Sequence, residues 1–320
     1  EPIGHKPMQG DFPNIKKLVS HIFGEQYELG MDYLQLLYLK PVQKLPILLL
    51  VSEERNTGKT TFLNFLKALF QDNVTFNTNE DFRSQFNSDW AGKLLIVVDE
   101  VLLSRREDSE RLKNLSTTLS YKVEAKGKDR NEISFFAKFV LCSNNESLPV
   151  IIDEGETRYW VRKISSLQAD DTNFLEKLKA ELPAFLFYLQ GRTLSTEHKS
   201  RMWFAPEQIA TDALRRIIRC NRNRLEVEMS ELFLEVMENT QTDSLQFCLN
   251  DAIALLQCNH VKAEKHLVRK IVQDCWKLQP SENALTYTSY EYNYNSSGHY
   301  SPTKRVGRFY TVTRDKLNSI

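Results

Sequence analysis

The sequence has no excess of charge of either sign, because its 42 Lys and Arg residues balance its 42 Asp and Glu residues. It therefore lacks the overall basic field that attracts nucleic acid to many proteins, and any such contact must come from local clusters. It also has no apolar run that is long and uncharged enough to cross a membrane, so we expect no membrane partner. A hydrophobic content of 41% is sufficient for packed cores.

Cysteine is scarce, and its pattern is not that of a secreted protein. The sequence has five cysteines, an odd number, and they are widely scattered: Cys142, Cys220, Cys248, Cys258 and Cys275. They predict reduced thiols rather than a disulfide framework. The chain opens at Glu1 without a Met and without the basic-then-apolar start of a signal peptide. We therefore expect a cytoplasmic fragment that other domains precede.

The pattern of apolar residues divides the chain into four regions, where its length alone predicts about two domains. Residues 1–45 predict a helical region. Residues 46–165 alternate apolar runs with helical stretches, which is typical of an α/β sheet domain. Residues 166–220 predict a helical connector. Residues 221–320 predict helices followed by a tyrosine-rich hairpin, the outline of a winged helix.

The strand expected at 47–51 leads through a turn into Gly58-Lys59-Thr60 and an apolar helix start. This is the layout of a phosphate-binding loop, with Glu53 where the pattern has its first glycine. In such loops backbone N–H groups face the phosphates, the lysine adds full charge, and a Ser or Thr hydroxyl binds Mg²⁺. The predicted nucleotide-binding residues are Asn56, Thr57, Gly58, Lys59, Thr60 and Thr61.

The second motif is the acidic pair Asp99-Glu100, which directly follows an apolar strand expected at 94–98. Ligands of open α/β sheets bind at the carboxyl edge, so we expect this pair beside the phosphate loop. Asp99 would then hold Mg²⁺ together with Thr60, and Glu100 would polarise the attacking water. Strands often end in acidic residues without a catalytic reason, but the preceding Gly-Lys-Thr run favours the functional interpretation.

Two further polar positions follow apolar strands. Asn144 comes after the strand expected at 135–141 and could sense the γ-phosphate, although Asn also favours ordinary turns. Arg158, fourteen residues farther on, is permanently charged and suits a phosphoryl group in transfer. It is the candidate arginine finger, acting across a subunit boundary, with Arg162 in reserve. A structural ion pair is the simpler explanation of either arginine.

Basic residues are concentrated around a Lys-Gly-Lys turn between the acidic pair and Asn144. Lys126, Lys128 and Arg130 would lie at the tip of a hairpin that faces DNA, and a solvated basic turn is the alternative. A helix predicted at 262–278 carries a second basic set near one face. Lys262, Lys265 and Arg269, with Lys304, Arg305 and Arg308 on a wing, could contact phosphates or be merely solvated.

In their order along the chain, these motifs resemble those of the superfamily 3 helicases, the AAA+ group of viral and plasmid replication initiators. The similarity covers roughly residues 12–165, and roughly 220–315 in outline only. Within this group, the sequence most resembles the primase-helicase proteins of phages and mobile elements. The resemblance implies an α/β P-loop NTPase core of AAA+ type, with N-terminal helices and a C-terminal all-α, winged-helix domain.

The same resemblance implies an ATP-driven, Mg²⁺-dependent DNA helicase or translocase that acts in the replication of a phage, plasmid or integrated mobile element. It implies a ring oligomer, usually a hexamer, with a single DNA strand in its pore and a primase domain upstream or in trans. The implied roles are phosphate contact for Lys59, metal binding for Thr60 and Asp99, catalysis for Glu100, sensing for Asn144, DNA tracking for Lys126 or Lys128, and the finger for Arg158.

Two other functions remain open at this point. Glu53 could have removed nucleotide binding, which would leave a degenerate ATPase that acts as a DNA-binding or loading module through its winged helix. Alternatively, an AAA+ loading or packaging switch would hydrolyse ATP without unwinding DNA.

Overall fold

A computed structural model describes residues 1–81, 90–123, 131–167, 171–293 and 299–318 of the chain. The chain forms two compact units, Glu1–Ile218 and Arg219–Ile320. Within the described ranges, no helix combines the length and the apolar composition that a bilayer crossing requires.

The first unit is built on a parallel β-sheet. The strands of this unit, in chain order, are β1 (Ile47–Val51), β2 (Val74–Asn77), β3 (Leu95–Val98), β4 (Ser120–Val123), β5 (Asn131–Ser134), β6 (Lys138–Ser143) and β7 (Tyr159–Lys163). In the part of the chain that the structure describes, the parallel sheet has five strands in the order β2-β3-β6-β1-β7. Strands β4 and β5 form a separate antiparallel pair before β6. The prediction of an α/β fold is therefore confirmed.

The strands are apolar along their length because both faces of the sheet are covered. Every residue of β1, β3 and β6 is buried, which is the pattern of parallel strands between two helical layers. Successive side chains point to opposite faces, so Leu48 and Leu50 pack in one core and Leu49 and Val51 in the other. The sheet thus separates two apolar cores.

Helices cover the two faces of this sheet. They are α1 (Pro13–Phe23), α2 (Tyr27–Leu39), α3 (Lys59–Phe70), α4 (Arg106–Thr117), α5 (Phe174–Gly191), α6 (Pro206–Ile209) and α7 (Asp212–Asn239). Residues of α1, α2, α3 and α5 fill the core on one face, and residues of α4 and the start of α7 fill the other. The N-terminal helices, a region of their own in the sequence pattern, therefore belong to the same compact unit as the sheet.

The stretch predicted as a helical connector is only partly helical. Helix α5 continues through Pro183 without a break, but residues 192–205 contain no helix. The carboxylate of Asp32, on α2, is fully buried and accepts hydrogen bonds from the backbone N–H groups of Ser195 (3.1 Å) and Thr196 (2.7 Å). These hydrogen bonds satisfy the buried carboxylate. They also occupy two backbone N–H groups that a helix would use for its own hydrogen bonds.

The second unit combines helices with two antiparallel strand pairs. After α7 come β8 (Ser244–Phe247), α8 (Leu249–Cys258), α9 (Lys265–Lys270), a π-helical turn (Ile271–Cys275), β9 (Leu285–Asn293), β10 (His299–Gly307), β11 (Tyr310–Thr313) and α10 (Arg314–Asn318). Strand β9 pairs with β10, and β8 pairs with β11. Phe233 packs edge-on against Phe247 and Trp276 in the core of this unit.

Two lysines of the first unit are buried without a carboxylate partner among the described residues. Lys138 Nζ donates to the carbonyl oxygen of Pro41, and Lys44 Nζ donates to that of Phe135 at 2.8 Å. Burial, with a contribution from the charge of Lys44, lowers the pKa of Lys138 to about 7. Burial also lowers the pKa of Lys44 to about 8. Folding therefore shifts both lysines toward the neutral amine relative to their state in water.

We expect this burial to make stability depend on pH. The lysines titrate near pH 10.5 when unfolded, so between about pH 7 and 10.5 the unfolded chain binds more protons, and stability rises with pH. Replacing Lys138→Met should flatten this rise, measured as the free energy of urea unfolding at pH 6.5, 8 and 9.5. Lys179→Met on the exposed surface of α5 is the control and should leave the slope unchanged. An equal slope in Lys138→Met and the unmodified protein would contradict the expectation.

Candidate functional site

The carboxyl ends of the three motif-bearing strands lie side by side, along what we call the carboxyl edge of the sheet. Strand β6 lies between β1 and β3, and all three run parallel, so their carboxyl ends are neighbours. The phosphate-loop motif follows β1, the pair Asp99-Glu100 follows β3, and Asn144 follows β6. The structure thus brings together side chains that lie up to 85 residues apart in sequence.

The turn between β1 and α3 has backbone features that only certain residues tolerate. Gly58, directly before α3, has a φ of +77°, in the left-handed region that favours glycine. Asn56 also adopts a positive φ, of +52°. The side chain of Thr57 is buried, and its carbonyl oxygen accepts a hydrogen bond from His21 Nε2 at 3.0 Å. The turn is therefore held in place by α1 as well as by its own sequence.

Lys59, the first residue of α3, is held by uncharged oxygen atoms. Its Nζ donates to Asn144 Oδ1 (3.0 Å) and to the carbonyl oxygen of Ser52 (3.3 Å). Within the described residues no carboxylate lies within ion-pair distance of this ammonium group. Burial lowers the pKa of Lys59, and the nearby negative charges, including Asp99 and Glu100, oppose that shift only in part. A bound anion would supply the negatively charged partner that this ammonium group lacks.

Thr60 and Asp99 provide a pair of oxygen ligands beside Lys59. Thr60 Oγ1 donates to Asp99 Oδ2 at 2.8 Å, and the contact is exposed to solvent. Hydroxyl and carboxylate oxygens are the ligands that Mg²⁺ prefers. Thr61 follows on α3 and is half-buried. The predicted metal-binding residues are therefore adjacent in the structure.

Glu100 has an unusual backbone conformation, with a φ of +60°. Such a φ is uncommon outside glycine and tends to occur where the surrounding structure enforces it. Asn79 supplies that constraint, since its Nδ2 donates to the Glu100 carbonyl oxygen (3.1 Å) and its Oδ1 accepts from the Leu102 N–H (2.9 Å). The side chain of Glu100 is exposed, and its Oε1 lies 3.4 Å from Asn144 Nδ2.

Glu53, which replaces the expected glycine, is part of a charge network centred on Glu146. The Glu53 N–H donates to Glu146 Oε1 at 3.1 Å, and Glu146 Oε2 lies 2.9 Å from both Lys163 Nζ and Arg216 Nη1. Glu53 Oε1 lies 3.4 Å from Arg216 Nη2, at the surface. Burial raises the pKa of Glu146, but these partners outweigh it and lower the pKa overall. The extra carboxylate thus points to a cation and away from the loop's interior.

The two candidate arginines lie on β7 or next to it, with different partners. Arg158 directly precedes β7, and its carbonyl oxygen accepts the N–H of Ile47, the first residue of β1. Arg158 therefore lies at the amino ends of the parallel strands, whereas the phosphate loop lies at their carboxyl ends. Its Nη1 pairs with Glu156 at 2.8 Å. Arg162 is only 8% exposed and pairs with Glu25 at 2.6 Å, so this reserve candidate is a structural ion pair.

The predicted basic hairpin is framed by β4 and β5, which pair antiparallel from Ser120 opposite Ser134 to Val123 opposite Asn131. Lys126, Lys128 and Arg130 lie outside the residues that the structure describes. The strand predicted to begin at residue 135 begins at Lys138 instead. The reason is that the Phe135 N–H bonds to the carbonyl oxygen of Leu119 (2.9 Å) and extends the hairpin pairing.

Comparison with known proteins supports the fold and leaves the chemistry open. Residues 50–162 match the model of a family of unknown function, DUF5906. The fold is similar to that of the apo NrS-1 C-terminal region (305–718), with a TM-score of 0.61 and 17% identity over 96% of this chain and 78% of that chain. An A-form structure of the same region gives 0.60 and 16% over 97% and 77%. At this identity the likeness shows the fold alone.

Other comparisons add little. A structure of JCV helicase with a bound small molecule has a TM-score of 0.32 and 14% identity over 71% of this chain and 64% of that chain, which is too low to show a shared fold. No curated protein matches the sequence. The stretch that matches the family runs from the end of β1 to β7, and therefore contains Lys59, Thr60, Asp99, Glu100 and Asn144.

Three residues of the cluster carried no motif signal. Asn79 follows β2, the edge strand, whose carboxyl end lies beside that of β3. Glu146 lies only two residues after Asn144, and its burial to 3% exposure is the feature that marks it. Arg216 is on α7, far along the chain. A buried carboxylate next to a motif is the kind of signal that only the structure provides.

We expect Glu146 to hold the phosphate loop in its observed shape. Glu146→Ala removes the acceptor of the Glu53 N–H and should lower the free energy of unfolding by about 1–3 kcal/mol. Glu146→Gln keeps an oxygen acceptor and should cost less. Urea unfolding followed by tryptophan fluorescence measures both, with Glu176→Ala, which breaks an exposed ion pair to Lys179, as the control at about 0.5 kcal/mol. A loss in Glu146→Ala no larger than in the control would refute this role.

Proposed function

We propose that this chain is an ATP-driven DNA helicase or translocase that acts in the replication of a phage, plasmid or integrated mobile element. The observation that carries the proposal is the cluster at the carboxyl edge of the sheet, where Lys59 contacts Asn144 and Thr60 contacts Asp99. The cluster combines an anion-binding lysine, a cation-binding oxygen pair and an exposed carboxylate. These are the groups that phosphoryl transfer to water requires.

The phosphate loop suits a nucleoside triphosphate. Its turn ends at the N-terminus of α3, where N–H groups lack intrahelical partners and carry partial positive charge. Lys59 has only neutral oxygens as partners, so phosphate oxygens of ATP would replace the side-chain amide of Asn144 at its ammonium group. Released from Lys59, Asn144 would turn toward the γ-phosphate, which gives it the role of sensor.

The same cluster suits Mg²⁺, which Thr60 and Asp99 would hold. The fit rests on the chemistry of these donors, a hydroxyl and a carboxylate in mutual contact and open to solvent. When bound, Mg²⁺ would neutralise part of the phosphate charge. Glu100 would accept a hydrogen bond from the attacking water and orient it toward the γ-phosphate. The enforced backbone at Glu100 keeps its carboxylate beside Asn144, where both can act on one group.

Arg158 could contact a bound nucleotide only in an oligomer. It lies at the sheet edge opposite the phosphate loop of its own chain, so it could serve as an arginine finger only for a neighbouring subunit. We therefore propose a ring, most simply a hexamer, in which nucleotide binds between subunits. Lys126, Lys128 and Arg130, which lie between β4 and β5 along the chain, would contact a DNA strand in the pore.

The second unit and further partners belong to the same proposal. We propose that the second unit is a winged helix, and its order of helix, strand, helix, helix, hairpin and strand supports this. The fold shared with the NrS-1 C-terminal region does not identify an activity. A primase domain, upstream or in trans, would be the natural partner of such a motor.

The alternative is a degenerate AAA+ P-loop protein that binds or loads DNA without unwinding it. One observation favours it, since a loop N–H that could face phosphate is bonded to Glu146 instead. The N–H groups nearer Gly58 and the side chain of Lys59 remain suitably placed for phosphate, so we prefer the hydrolytic function.

Lys59→Ala should abolish hydrolysis. We expect ATPase activity to fall by about 100-fold or more, because an ammonium group at the phosphates is lost. Phosphate release with Mg²⁺ and ATP measures it, and Lys67→Ala, on the same helix but away from the cluster, is the control. Titration calorimetry of the unmodified protein with ATP and Mg²⁺ separates the alternatives, because a degenerate loop would give no heat. Full activity in Lys59→Ala would contradict the mechanism.

Mixing two inactive variants tests whether Arg158 acts between subunits. Arg158→Ala should bind ATP but not hydrolyse it, and Lys59→Ala should be inactive for a different reason. In random mixed rings, about a quarter of the interfaces would combine an intact Lys59 with an intact Arg158, because each condition holds at half of the positions. Mixed subunits should therefore recover up to about a quarter of the ATPase activity. No recovery in mixed rings of proven assembly would reject the finger.

A further inference from the structure

The second unit contains an open groove with basic residues on two sides. Its volume is about 490 Å³, and it lies between the start of α8, one face of α9 and the connection between β10 and β11. The charged side chains that line it are Lys265, Arg269 and Arg308, and no Asp or Glu lines it within the described residues. In a chain with equal numbers of acidic and basic residues, this separation of charge is not a consequence of composition.

Helix α9 and the π-helical turn after it present three polar residues to the groove. Lys265, Arg269 and Gln273 are spaced four residues apart, and all three line it. The opposite side is buried in the core of the unit through Leu267 and Ile271. Gln273 Nε2 donates to the hydroxyl of Tyr310 at 2.8 Å, which ties this residue to β11 across the groove.

Arg308 is carried by a short connection that is fixed on both sides. Its neighbour Phe309 exchanges hydrogen bonds with Ser281, from the Ser281 N–H to the Phe309 carbonyl oxygen (2.8 Å) and from the Phe309 N–H to Ser281 Oγ (3.2 Å). The ring of Phe309 also stacks on Tyr287 with centroids 4.9 Å apart. The base of Arg308 is therefore positioned before any ligand binds, which reduces the entropy lost on binding.

The three cations of the groove have no acidic partner within the described residues, whereas three arginines elsewhere in the same unit do. Arg305 pairs with Asp251 and Glu291, Arg224 pairs with Glu228, and Arg314 pairs with Asp243. By contrast, Lys265, Arg269 and Arg308 are exposed and form no ion pair within the described part of the chain. Their charge is available to an external anion.

We propose that this groove binds the phosphodiester backbone of DNA. Arginine forks match phosphate oxygens in geometry, and the first turn of α8, at Leu249 and Asn250, adds N–H groups at the same groove. The site would hold the backbone and so position the DNA, because its charged groups match phosphate oxygens. The choice of DNA as the source of phosphate rests on the proposed function, since a DNA motor works next to this polyanion.

The test is the salt dependence of DNA binding by the full chain. Fluorescence anisotropy with a labelled 20-base-pair duplex and a 20-nucleotide single strand is measured between 50 and 200 mM KCl. The triple variant Lys265→Gln, Arg269→Gln and Arg308→Gln should bind about tenfold or more weakly. The slope of log K against log salt should become shallower by about 2 to 3 on the duplex, because up to three phosphate contacts are lost.

Two controls separate the groove from a general loss of positive charge and from an effect on folding. Lys177→Gln with Lys179→Gln removes exposed charge from α5 of the first unit and should leave affinity and slope close to the unmodified values. Thermal melting checks the triple variant. If it melts early, Arg269→Lys and Arg308→Lys, which keep the charge and lose the fork, should show an intermediate loss of affinity.

The outcomes also separate this site from the proposed motor. The triple variant should keep its ATPase activity without DNA, and Lys59→Ala should keep its DNA affinity, so either proposal can fail alone. An unchanged affinity and slope in the triple variant would overturn the groove, as would an equal loss in the control pair. Competition by a polyglutamate peptide as effective as that by DNA of equal charge would show a general anion site, and would also overturn it.

Discussion

The position of β6 between β1 and β3 is the constraint on which the candidate site depends. Only this order places the end of the Asn144 strand between the phosphate loop and the acidic pair. The contacts that follow run in sequence across the sheet edge, from Lys59 to Asn144 and on to Glu100. The parallel direction of all three strands is equally necessary, since one reversed strand would carry its motif to the far edge. The function proposed for the chain therefore rests on sheet topology first and on side-chain chemistry second.

The substitution of the first loop glycine by Glu53 is accommodated by the structure in a specific way. The side chain points outward to Arg216, and its backbone N–H is bonded to the buried Glu146. Glu146 also holds Lys163 and Arg216, so the charges introduced at the loop are compensated within the first unit. Gly58 keeps the left-handed conformation that the turn into α3 needs. Nothing in this arrangement removes the ammonium group of Lys59 from the site.

Both proposed anion sites are built on the same physical principle, a cation that lacks an acidic partner. Lys59 has neutral oxygens around it, and Lys265, Arg269 and Arg308 face an open groove. Elsewhere, arginines such as Arg162 and Arg192 are paired with carboxylates and hold helices together. This difference in partners separates Lys59 and Arg308 from Arg162 and Arg192 better than exposure does, because Lys59 is buried and Arg308 is not.

Much of the site could be predicted from sequence because its motifs are local. A strand ending in a glycine-lysine-threonine turn, or in two carboxylates, is recognisable within about ten residues, and the strand at 47–51 was predicted at its true bounds. The residues that support the motifs could not be predicted in this way. Asn79, Glu146 and Arg216 act through contacts across the fold, and the start of β6 shifted because Phe135 pairs with Leu119.

The sequence by itself determined the α/β alternation, the loop turn at Gly58 and the candidates for each chemical role, because short-range geometry and residue chemistry decide those features. Only the tertiary structure decided that Arg162 pairs with Glu25, that the N-terminal helices share a core with the sheet, and that Glu53 has partners outside the loop. It also gathered three basic residues from α9 and the β10–β11 connection into one groove. These features depend on which distant segments pack together, and no local pattern contains that information.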